Sequence, residues 1–163
     1  HALPDWYEPV CATAGEADRR LGAQELLDFA SWRPDAIFIN LGTNDAAAMG
    51  ISAWHGPGGA RFKQEDTPAG RRLVEEGALA FLHKLRRLNP GARLVWAYGM
   101  AGDALRPQLE GAVERFREET GDPAVYYLPL PAAEAELGSR RHPGPAAHQA
   151  AAQTAAAFLR EVL

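Results

Sequence analysis

Cysteine is nearly absent from this chain of 163 residues: Cys11 stands alone. No internal disulfide and no cysteine metal cluster can form, and a lone cysteine without a local motif serves as a small apolar residue. Serine is scarce too, occurring only as Ser31, Ser52 and Ser139. No apolar run approaches the length of a membrane span, so a membrane partner is not expected. Positive charge is not in excess: the net charge is −4 with Lys and Arg scattered, which excludes the footprint of a nucleic-acid binder. Arg71, Arg72, Lys84, Arg86 and Arg87 lie close in sequence, but Glu75 and Glu76 sit among them, the pattern of a solvated helix face. No glycine-rich phosphate loop stands at a strand–helix junction; Gly56-Pro57-Gly58-Gly59 falls inside a long loop instead. The histidines lack a zinc spacing. Neither a cofactor nor a metal is expected, and the residues do not fix a compartment.

What is present suits one globular α/β domain, with 47% hydrophobic and 23% charged residues. Strands are predicted at 36–41, 93–98 and 124–130, each β-branched or aromatic and bounded by Gly, Pro or Asp. The first, ending Ile37-Phe38-Ile39-Asn40-Leu41, has no polar alternation and reads as a strand buried on both faces. A helix is predicted at 21–29. Another opens at Thr67-Pro68-Ala69, with Leu73, Ala80, Leu82, Leu85 and Leu88 among its buried positions, and stops at Asn89-Pro90-Gly91. A third spans 105–119, and a last one runs from Pro145 to the chain end. Alternating strands and helices imply right-handed crossovers and a parallel sheet with helices on both faces.

Open sheets of this kind place ligands at the carboxyl ends of their strands. Gly42-Thr43-Asn44-Asp45 follows the first strand directly, with Gly42 permitting a sharp turn. The Asn44 amide could donate to an oxygen that gains charge in a transition state, or it could cap a helix. Asp45 has the same two readings. His142 precedes Pro143, which holds it away from helical angles, on the loop before the last helix. It is placed as a general base or as a surface histidine. The long stretch 50–67 leaves from the same strand end and holds Trp54, His55 and Phe62, which could wall a substrate. His83 is expected to be exposed, and His148 structural or on the surface.

The strand ending in Gly42-Thr43-Asn44-Asp45 and the loop Ser139-Arg140-Arg141-His142-Pro143 together resemble the third and fifth blocks of the SGNH (GDSL-type) hydrolase superfamily. The segments Leu88-Asn89-Pro90-Gly91-Ala92-Arg93, Val95-Trp96-Ala97-Tyr98-Gly99-Met100 and Trp32-Arg33-Pro34-Asp35-Ala36-Ile37 are similar to its carbohydrate-esterase type. The resemblance implies a three-layer α/β/α sandwich with a parallel sheet, flavodoxin-like in plan. It also implies serine-type ester hydrolysis of a carbohydrate or small acyl ester. His142 would be the general base, Asn44 an oxyanion donor, and Gly42 the turn that presents it. Two features depart from the family. The Asp expected three residues before the histidine is Ser139, which implies a Ser–His dyad or reduced activity. No Gly-Asp-Ser block is present, and none of the three serines has the strand–Gly-Asp-Ser–helix setting. The expectation is therefore that residues 1–163 form the carboxyl-terminal portion of one SGNH domain, incomplete in this chain. The nucleophile would come from a missing N-terminal segment of the same protein. A scaffold that binds without catalysing is the alternative.

Overall fold

The computed structural model describes residues 33–55, 59, 61–132 and 142–163. The helix expected at 21–29, and Cys11, Ser31 and Ser139, lie outside them. The elements run in the order β1 (Ala36–Ile39), α1 (Thr43–Met49), β2 (Trp54–His55), β3 (Arg61–Phe62), α2 (Pro68–Leu88), β4 (Arg93–Tyr98), α3 (Arg106–Thr120), β5 (Val125–Pro129) and α4 (Pro145–Val162). Strands β1, β4 and β5 form a parallel sheet with β4 in the middle. Ala36 pairs with Arg93 and Ile39 with Trp96, while Leu94 pairs with Val125 and Tyr98 with Pro129. The long loop carries a separate two-residue hairpin, β2 with β3.

Strand β4 separates two cores, because successive side chains of a strand point to opposite faces. Leu94, Trp96 and Tyr98 pack with Leu82 and Leu85 of α2 and Leu109 and Phe116 of α3. Val95 and Ala97 pack with Leu128, Leu130 and the α4 residue Ala151. This central strand is the one buried on both faces.

Strand β1 is not, contrary to its sequence pattern. Phe38 is 39% exposed and only Ile39 is buried. Helix α4 covers β4 and β5, and among the described residues β1 pairs only with β4.

The helix boundaries follow local chemistry. Thr67 caps α2 by accepting the Gly70 N–H at 3.1 Å, and Pro68 occupies the first helical position, where no N–H is missed. Gly121, at φ 69°, closes α3 by donating to the Arg117 carbonyl. The apolar stripe of α2 runs through Ala78, Leu79, Phe81, Leu82 and Leu85. Leu73 and Ala80, expected inside, are exposed, and Leu88 is half-buried, because they flank this stripe.

Arg86 also departs from expectation. It is not part of a solvated face but a clamp under the amino edge of the sheet. Its Nε pairs with Asp122 Oδ2 at 2.6 Å, and the pair is four-fifths buried. Its Nη1 donates to the carbonyls of Asn89, Pro90 and Ala92, and its Nη2 to that of Ala124. One guanidinium thus ties the end of α2 to the turns entering β4 and β5. Replacing Arg86 with Met is expected to destabilise the fold by about 3 kcal/mol in urea unfolding, since Asp122 and four carbonyls lose their donor. Lysine is expected to restore only a minor part, because an ammonium cannot span the fork.

Candidate active site at the carboxyl edge of the sheet

The turn after β1 is fixed from below. Gly42 has φ 123°, a left-handed conformation that side chains disfavour. A Cβ there would also lie 3.0 Å from Leu109 Cδ1 and 3.1 Å from Tyr98 Cε2. The indole N–H of Trp96 donates to the Leu41 carbonyl at 3.1 Å. Phe81 meets the Trp96 ring edge-on at 6.3 Å between centroids. The short helix α1 then starts with Gly42 as its N-cap and without a side-chain capping bond. Asn44 and Asp45 therefore do not perform the capping role that their sequence position also allowed. Asn44 is an exposed residue in the first turn, and Asp45 is half-buried beside it.

The far end of α1 is held by a residue from the long loop. Lys63 Nζ donates to the carbonyls of Met49 at 2.9 Å and Ile51 at 2.6 Å. A cation on the last carbonyls also suits the negative end of a helix. The same loop carries the hairpin, in which Trp54 pairs with Phe62 and His55 with Arg61. His55 is exposed; the side chains of Trp54 and Phe62 lie outside the described residues.

His142 enters from the other side of the sheet. Arg93, which opens β4, donates to the Val162 carbonyl at the end of α4, and Tyr126 meets Phe158 edge-on at 5.3 Å. Ala151, nearer the start of α4, packs with Leu128 and Leu130. Helix α4 therefore runs antiparallel to the strands, and its first turn lies at their carboxyl edge. Gly144 is the extended N-cap of α4 and Pro145 its first residue. His142, two residues before this cap, is exposed at that same edge. So Asn44 and His142 belong to one edge of the sheet, on loops following β1 and β5. His83, by contrast, pairs with Glu119 at 3.0 Å on the outer side of α2, and His148 is exposed on α4.

Several hollows lie at this edge among the described residues. A crevice between α1, α2 and β4 is lined by Leu41, Gly42, Asp45, Gly77 and Trp96. A second hollow, of about 220 Å³, follows β4 and β5 and is lined by Tyr98, Asp103, Arg106 and Tyr127. A roomier one, about 370 Å³, sits by Arg33, Asn89 and Ala92 at the amino edge, away from both candidate residues. Gly99 forms the bend into the second hollow: its φ is 132°, and a Cβ would lie 2.6 Å from the Leu130 carbonyl oxygen.

Burial holds the Tyr98 and Tyr127 hydroxyls above the usual phenol range. A hydrogen bond from the Leu105 backbone opposes the rise at Tyr98, while Asp103 and Asp45 add to it. The Tyr127 hydroxyl is buried without a hydrogen-bond partner among the described residues. Tyr127→Phe is therefore expected to stabilise the fold by about 1 kcal/mol, since an unsatisfied buried hydroxyl is removed. A pH effect follows from the same burial. Above pH 10.0 the unfolded phenol loses a proton that the folded one keeps, so stability falls as pH rises towards the folded value. Urea midpoints from pH 8 to 11 should fall less steeply in Tyr127→Phe.

Trp96, Lys63 and the crevice glycine Gly77 are absent from the residues that the sequence singles out. Trp96 alone carries a signal in the sequence, since an indole N–H in a buried strand needs an acceptor nearby.

Solved structures share this fold. An acetyl xylan esterase from the rumen bacterium Butyrivibrio proteoclasticus superposes on 98% of the chain with a TM-score of 0.88 and 38% sequence identity. Two family two carbohydrate esterases follow at 21% identity, which shows the fold alone. One, from Clostridium thermocellum and solved with cellohexaose, matches 95% of the chain with a TM-score of 0.68. The other, from Cellvibrio japonicus, matches 98% with a TM-score of 0.65. The structural neighbours are carbohydrate esterases. The chain spans 45%, 42% and 40% of their respective lengths, less than half in each case. No protein-family model matches the chain. No curated protein matches it either.

Proposed function

We propose that the chain is the carboxyl-terminal portion of an SGNH-type serine ester hydrolase that removes a short acyl group from a carbohydrate. One observation carries the reading. The turn presenting Asn44 and the loop presenting His142 meet the same carboxyl edge of the sheet, in a chain 38% identical to an acetyl xylan esterase.

In this reading a serine from the segment preceding residue 1 attacks the acyl carbonyl carbon. His142 takes the hydroxyl proton as the bond forms, and the tetrahedral oxyanion is held by the Asn44 amide. As the intermediate collapses, His142 returns the proton to the sugar oxygen and the alcohol leaves. Water, deprotonated by the same ring, then attacks the acyl-serine and releases the acid. Asp45 and Gly42 support the Asn44 turn. Trp54, His55 and Phe62 of the hairpin loop form the wall against which the sugar lies. With Ser139 in place of the usual Asp, His142 works in a dyad, its ring oriented by an uncharged acceptor.

The test uses the protein carrying the preceding segment. It should release acetate from acetylated xylan and hydrolyse p-nitrophenyl acetate. A serine-directed phosphonate should inactivate it at one label per chain, mapped by mass spectrometry to a serine before residue 1. Binding of xylan oligosaccharides without acetate release or phosphonate labelling would instead identify a non-catalytic binding module.

A further inference from the structure

We infer that Lys63 is a positioning residue for the hydrolysis: it holds the helix that presents Asn44 and so sets where the amide meets the oxyanion. The inference rests on the esterase reading above. Helix α1 has seven residues, about two turns, too few to keep its shape and place without ties to the rest of the fold. Among the described residues its ties are few. Only Met49 of the seven is buried, with Ala46 packed partly against the same core. Gly42 caps the helix without a side-chain hydrogen bond. The Asn44 end is fixed through the preceding turn, where Trp96 holds the Leu41 carbonyl. The other end is held by Lys63.

The last turn shows what Lys63 supplies. The Gly50 and Ile51 N–H groups donate back to the carbonyls of Ala47 and Ala48, at 3.1 and 3.2 Å. The chain leaves the helix there, so the carbonyls of Met49 and Ile51 have no later helical N–H to accept. One ammonium serves both, at 2.9 and 2.6 Å. An ammonium carries three donors on a flexible stem, so it can reach two carbonyls at once, and its charge suits the negative end of a helix. Lys63 directly follows β3, and its bond to Ile51 brings the two roots of the hairpin segment together. Helix α1 is thus pinned to β4 through Trp96 and to the hairpin through Lys63. Asn44 lies in its first turn, so a helix released at the far end tilts about Gly42 and carries the amide with it. A misplacement of about 1 Å can cost roughly 10²-fold in rate.

The test is a double-mutant cycle on p-nitrophenyl acetate with the full-length protein. Lys63→Met should lower kcat about tenfold and leave KM within about twofold, since a misaimed donor is missed only in the transition state. In the Asn44→Ala background the same substitution should lower kcat by less than about twofold, because the group it positions is gone. Lys63→Cys should behave like Lys63→Met. Its alkylation with 2-bromoethylamine restores an ammonium at nearly the original reach and should return about half or more of the lost kcat. The wild type treated in the same way controls for Cys11. Equal losses in the two backgrounds mean that Lys63 supports the fold and not the amide, and they overturn the inference while the esterase reading stands. An unchanged kcat in Lys63→Met, or an alkylated Lys63→Cys no faster than the untreated variant, overturns it in the same way. Absence of ester hydrolysis in the wild type overturns the esterase reading and the inference together. If Lys63→Met does not fold, Lys63→Gln, which keeps an amide donor without the charge, takes its place in the cycle.

Discussion

Replacing His142 with alanine in the full-length protein is expected to lower kcat/KM for acetyl esters about 10²- to 10⁴-fold. That is the range lost when a positioned general base is removed. The stability of the fold should hardly change. His142 is exposed, lies outside α4, and belongs to neither hydrophobic cluster. Surface substitutions of that kind stay within about 0.5 kcal/mol. The contrast between a large kinetic loss and a flat urea midpoint distinguishes a proton-transfer role from a structural one. Added imidazole should recover part of the lost rate, because a small base can reach the exposed position that the ring vacates. A variant that keeps a third of the wild-type rate would place the base elsewhere and remove His142 from the site.

The fold was readable where local chemistry and tertiary packing agree. The range 93–98 matches β4 residue for residue because its apolar run is bounded by Gly91 and Gly99 and fills both faces. Helix α2 was readable at both ends because Thr67, Pro68 and Asn89 act within one turn of themselves. Its interior was less so. A helix with Leu73, Val74, Ala78, Leu79, Ala80, Phe81 and Leu82 offers more than one apolar stripe. The neighbours α3 and β4 select the one through Ala78, Phe81 and Leu85. The same limit explains β1: its apolar run reads as doubly buried, but burial depends on what lies alongside, and Phe38 meets no cover among the described residues. At the candidate site, the placement of Asn44 and His142 at the carboxyl edge is legible because the turn and the proline beside them are local signals. Trp96 and Lys63 act across 55 and 14 positions of the chain, respectively, so no local pattern could mark them. Arg86 is hidden from a sequence reading for a similar reason. Its charge looks solvated in sequence, and only the approach of the loops at Asp122 and Ala92 turns it inward.

Asn44→Ala is expected to lower kcat for acetyl ester hydrolysis about 10²- to 10³-fold, the loss that follows removal of one oxyanion donor. The effect should fall on kcat and leave KM nearly unchanged, because the donor meets full charge only in the tetrahedral state. Folding gives no reason for a loss. Asn44 is exposed, caps nothing, and sits in a helix where alanine is the better former, so the melting temperature should hold or rise slightly. Asn44→Asp is a harsher test. It keeps the size of the side chain but puts a carboxylate where negative charge develops, so kcat should fall at least as far as in the alanine variant. Asp45→Asn changes charge one residue away, on a side chain that lines the crevice instead, and should cost less than tenfold. Equal losses in the Asn44 and Asp45 variants would point to a general disturbance of α1. A loss confined to Asn44 and expressed in kcat ties the amide to the oxyanion. Trp96→Phe then measures how much of that catalysis depends on holding the turn: the Leu41 carbonyl loses its indole donor, Asn44 keeps its amide, and the rate should fall by less than in either Asn44 variant.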